Sequence, residues 1–108
     1  MSRQILQFVA VTEGGRAFDI EFPLHPETRS AQSVSDLVTH LLQAISAHVQ
    51  DRGEVSDGDI LQALAMTAAI RGRMVGGDPT TLKDLTGQLY DEAWQAVTGA
   101  HEYPAGRA

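Results

Sequence analysis

The chain has 108 residues, no cysteine and a formal net charge of −6. That length is enough for one domain, 1–108, with its own core, and the missing thiols exclude disulfides, thiolate metal sites and cysteine nucleophiles. The acidic balance opposes nucleic acid and anionic membrane as partners, since both would repel it.

No apolar run nears the roughly 18 residues that span a bilayer. Met1-Ser2-Arg3 leads straight into a strand pattern with no signal-peptide core. A cytoplasmic location is the expectation.

Residues 4–24 alternate as a β-hairpin, with Gly14-Gly15 as a two-residue turn. That turn sets Val11 opposite Phe18, Val9 opposite Ile20, Gln7 opposite Phe22 and Ile5 opposite Leu24, with a Glu13–Arg16 ion pair at the tip. Ile5, Val9, Val11, Phe18, Ile20, Phe22 and Leu24 then share one face. Leu6, Phe8 and Ala10 share the other with Asp19 and Glu21.

Pro23 and Pro26 end the second strand. Ser33 with Asp36 resembles a capping box, so the first helix is expected over 34–52, its stripe carrying Val34, Leu37, Val38, Leu41, Ile45, His48 and Val49. Gly53 suits a left-handed stop.

The second helix, 57–75, is capped by Ser56 and is apolar on nearly every side, with Gln62 and Arg73 on a narrow polar strip. Such a helix is expected inside, walled by neighbours that its alanines and Gly72 admit closely. Gly76-Gly77 end it, and Asp78-Pro79 open a third helix over 79–98. Leu82, Leu85, Leu89, Ala93, Ala96 and Val97 form its buried stripe, flanked by Tyr90 and Trp94. Residues 99–108 read as a loose tail. The class is α+β: a hairpin followed by three antiparallel helices packed on one of its faces.

A lone hairpin is marginal and leaves unpaired strand edges. Joining hairpins from two copies would extend the sheet across a dimer and cover Leu6 and Phe8, which no helix of the same chain reaches. Gly87, under Trp94 and beside Tyr90, leaves room for a packed neighbour, the alternative being that Trp94 closes the chain's own core against the hairpin. The expected interface is therefore Leu6, Phe8, Gly87, Tyr90 and Trp94, in a homodimer that serves an unidentified protein partner.

Chemistry is sparse. Placing Gly58 at the obligatory EF-hand glycine puts Gly53 and Leu64 at ligand positions, and neither binds calcium. His40 and His48 lie about 12 Å apart along a helix, and His25 and His101 sit in irregular segments, so no metal site and no cofactor are expected. His48, within an apolar stripe, reads as a hydrogen-bonded core residue, with proton transfer as the alternative.

Arg71 reads as structural pairing toward Asp36, Thr81 or Asp84. The sharper alternative is an anion site of Arg71, Arg73 and Thr81 at the start of the third helix. A helix-turn-helix reading puts Asp84, Asp91 and Glu92 against a lone Lys83, which repels phosphate. No catalytic constellation converges. A non-enzymatic interaction or accessory protein is the leading reading, and a small-ligand or anion binder the second.

Overall fold

The computed structural model describes residues 3–12 and 14–105. The elements are β1 (Ile5–Val11), β2 (Arg16–Pro23), α1 (Ala31–Arg52), α2 (Asp57–Val75), α3 (Pro79–Thr98) and β3 (His101–Pro104). The chain is α+β. It divides into two compact units, one of residues up to Ser35 with those from Gln88 onward, the other Asp36–Gly87.

In the first unit the strands form one antiparallel sheet in the order β1-β2-β3. The hairpin is one residue out of the expected register. Ile5 lies opposite Pro23 and Phe8 opposite Ile20, where a two-residue turn would have given Leu24 opposite Ile5.

The turn chemistry explains the slip. The Thr12 N–H donates to Arg16 O at 2.8 Å and the Gly15 N–H to Thr12 O at 3.1 Å, so the strands close at Thr12 and Arg16 with three residues between them. Gly15 alone of the two glycines has a positive φ, 82°. A three-residue loop that ends on a left-handed glycine is the next commonest hairpin connection after the two-residue one.

Because side chains alternate with a period of two, one residue of slip exchanges the faces. Leu6, Phe8 and Ala10 share a face with Phe18, Ile20 and Phe22, while Ile5, Val9 and Val11 lie with Ala17, Asp19 and Glu21. The expected Glu13–Arg16 pair involves Glu13, which lies outside the described residues. Arg16 Nε donates to Glu102 Oε2 at 2.9 Å.

Glu102 belongs to a strand, so the expected loose tail is corrected over its first part. β3 pairs with β2, placing Tyr103 opposite Ala17 and His101 opposite Asp19. The Ala105 N–H adds a bond of 2.7 Å to Gly15 O. Among the described residues the buried apolar ones are Ala17, Ile20 and Leu24, all in or next to the central strand. Arg3 fastens the start of β1: its Nε donates to Leu24 O at 2.7 Å, and its two terminal nitrogens grip the Glu92 carboxylate at 3.0 and 3.2 Å.

The helix ends follow their caps. α1 starts three residues before the expected position because Ser30, not Ser33, is the cap: its Oγ accepts the Ser33 N–H at 3.1 Å. Gly53 stops the helix at φ 84°. Ser56 caps α2 by accepting the Asp59 N–H at 3.0 Å, and Gly76 ends it at φ 85°. Asp78 caps α3, its Oδ2 taking both the N–H and the hydroxyl of Thr81 at 2.9 Å.

The interior placement of α2 is overturned. None of its residues is buried, and the same holds for α1 and α3. Nor does anything lie within 4 Å of a Cβ built at Gly72, so no close neighbour uses that glycine. The physical reason is one of supply. A helix apolar around its circumference needs a wall on every side, and with Leu61 and Ile70 exposed on opposite sides this chain does not supply one.

Candidate functional site

β1 is one of the two edge strands of the sheet, β3 being the other. Gln4 O accepts the Leu24 N–H, and the Thr12 N–H donates to Arg16 O. Even-numbered residues of β1 therefore aim their backbone groups at β2, given the unbroken register between those two bonds. In an antiparallel ladder the alternate residues aim theirs the other way. The N–H and C=O groups of Ile5, Gln7, Val9 and Val11 thus line the outer edge.

The same residues carry side chains open to solvent, with Ile5 51%, Val9 52% and Val11 64% exposed. The strand reads ILQFVAV. It holds none of the devices that usually guard an edge, neither charge, proline nor bulge.

The structure divides the sequence-predicted interface. Leu6 and Phe8 are half-buried on the opposite face of the sheet, with the Phe8 ring edge-on to Phe22 at 6.5 Å. Their expected place as solvent-facing apolar residues on β1 passes to Ile5, Val9 and Val11. The signal that could have found these three is the turn, since a three-residue loop was equally compatible with Gly14-Gly15. Tyr90 and Trp94 do come together on α3, stacked with ring centroids 6.3 Å apart and both exposed. A Cβ at Gly87 would meet nothing within 4 Å, so that surface is open.

α2 adds apolar surface on opposite sides. Leu61 and Ile70 are nine residues apart, about 180° around a helix, and are 65% and 59% exposed. Met66 and Met74 flank Ile70 one turn to either side, and both are exposed. α1 contributes Leu37, Leu41 and Leu42.

The charged candidates fare differently. Arg71, Arg73 and Thr81 are exposed. The negative end that an anion would bring to α3 is already supplied by Asp78, whose carboxyl titrates below its ordinary range because the Thr81 N–H and then the Thr81 hydroxyl donate to it. Arg3 likewise holds Glu92 below the usual carboxylate range through its hydrogen bonds.

His48 is exposed, which corrects its reading as a core residue. A shallow cleft of about 380 Å³ lies between Asp19, Glu21 and His101 on the sheet and Gln95, Ala96 and Gly99 near the end of α3. Sequence reasoning missed it because His101 was not expected on a strand. Among the described residues, no three His, Asp or Glu side chains are grouped to hold a metal ion, and no helix is long and apolar enough to cross a membrane. Comparison with protein families, curated proteins and solved structures finds no match to this chain.

Proposed function

We propose that the protein is a non-enzymatic interaction or accessory protein that works as a homodimer, its sheet continued by the second copy and its helices covered by apolar surface from a partner. One observation carries this reading: three helices rich in leucine, methionine and aromatic residues contain no buried residue. Apolar surface on that scale marks a place where another molecule binds. Fully burying one such side chain stabilises by about 1.5–3 kcal/mol.

Light scattering at micromolar concentration tests it. The expected mass is twice 11.6 kDa, and the monomer mass rejects the homodimer. Trp94→Ala, at an exposed aromatic, should weaken the assembly by about tenfold or more, as truncation of interface aromatics does, with helix content unchanged in circular dichroism.

The anion-binding alternative has the Asp78 carboxylate against it. A phosphate compound that raised the melting temperature, with the rise lost in Arg71→Ala, would restore that reading.

A further inference from the structure

We infer that β1 is the docking strand for β1 of a second copy, antiparallel, with the two-fold axis passing beside Phe8. This rests on the homodimer reading and specifies how the two copies meet.

Three observations select a second copy as the occupant. The first is hydrogen-bond complementarity. Centring the pairing on Phe8 sets Ile5 opposite Val11 and Gln7 opposite Val9 of the other copy, so every residue whose backbone groups line the outer edge meets another such residue. Each of these pairs exchanges both N–H···O bonds, and the full length of the strand is used.

The second is side-chain complementarity. On one face Phe8 meets its own copy and Leu6 meets Ala10, an aromatic pair flanked by large-against-small contacts. On the other face the exposed Ile5 and Val11 cover each other, and Val9 lies against Gln7. Such cross-strand pairs contribute roughly 0.2–1 kcal/mol each.

The third is charge. The chain carries −6 overall, so two copies repel over most of their surface. ILQFVAV is uncharged throughout, which makes β1 a strip where two acidic chains approach without opposing like charges.

Cysteine cross-linking tests the register, because the chain has no native thiol. Gln7 and Val9 are both exposed, and the one bond at stake, from Gln7 Nε2 to Glu21 Oε2, is a solvent-exposed one, so either substitution should leave the fold intact. Chains bearing Gln7→Cys mixed with chains bearing Val9→Cys should form a mixed disulfide, since a hydrogen-bonded pair holds its Cα atoms about 5.5 Å apart, a distance that disulfides favour. Neither variant alone should link to itself, because its two copies are offset by two residues along the strands, which together with the spacing between strands separates their Cα atoms by more than about 7 Å.

Hydrogen exchange on the unmodified chain provides the second readout. The Ile5, Gln7, Val9 and Val11 amides should slow as concentration rises, while those of Leu6 and Phe8 change little. A dimer by light scattering with no mixed disulfide and no slowing overturns the strand pairing and leaves the homodimer standing. A monomer at all concentrations overturns both.

Discussion

A Cβ at Gly15 would have open space around it, so only the φ of 82° resists substitution there. Left-handed backbone costs an L-residue roughly 1–2 kcal/mol. Gly15→Ala should therefore lower stability by about that amount, while Gly14→Ala, whose Cβ would meet only Thr12 Oγ1 at an ordinary 3.8 Å, should be close to neutral. Denaturant midpoints of the two variants check this, and equal losses would contradict the three-residue loop. Asp78 offers a titration test. Its lowered pKa means that the stability it contributes is present above the pKa of an unfolded-state carboxyl and is lost as pH falls through the lower folded value. The carboxyl carbon signal should titrate below the usual aspartate range, and Thr81→Val should move it part of the way back. The Thr81 N–H, the larger cause, remains in that variant.

At the scale of elements, caps and strands differ in how far they can be read. Ser56, Gly76, Asp78 and Gly53 act on backbone groups within a few residues, so the bounds of α2, the start of α3 and the stop of α1 were visible in the sequence. Ser30 was overlooked for α1 because Ser33 has the same chemistry three residues later. β3 was invisible for a different reason. A four-residue strand that ends on a proline carries too short a pattern, and its partner, β2, lies more than eighty residues earlier. The clue was Tyr103, two residues after His101 and so on the same face, with the rings stacked 5.7 Å apart. A chain ended after Ala100 should show faster exchange at the Ala17 and Asp19 amides, which face β3 in the ladder. Arg16→Ala, which removes an exposed ion pair with Glu102, should cost less than about 1 kcal/mol.

At the scale of the whole molecule, the expected interface was legible only in part, because the sequence showed how much apolar surface exists but not which of it the chain itself covers. α2 makes the point. Its all-round apolar character was read as burial by its own chain, yet Leu61 and Ile70 on opposite sides are both exposed. A molecule that covered α2 would have to reach both sides, which a flat surface cannot do. An enclosing partner, as two copies with packed helices would provide, predicts that Leu61→Lys and Ile70→Lys each raise the dimer dissociation constant, by about tenfold for each ~1.4 kcal/mol of lost contact. Both positions are exposed in the single chain, so helix content at low concentration should not change. Sedimentation equilibrium reads the constants, and an effect from only one substitution would assign α2 a one-sided contact. The melting temperature of the unmodified chain should also climb with protein concentration, as it does for any fold stabilised by association. In the two lysine variants that climb should flatten, because the apolar surface that drives association then carries a charge that docking would strip of water.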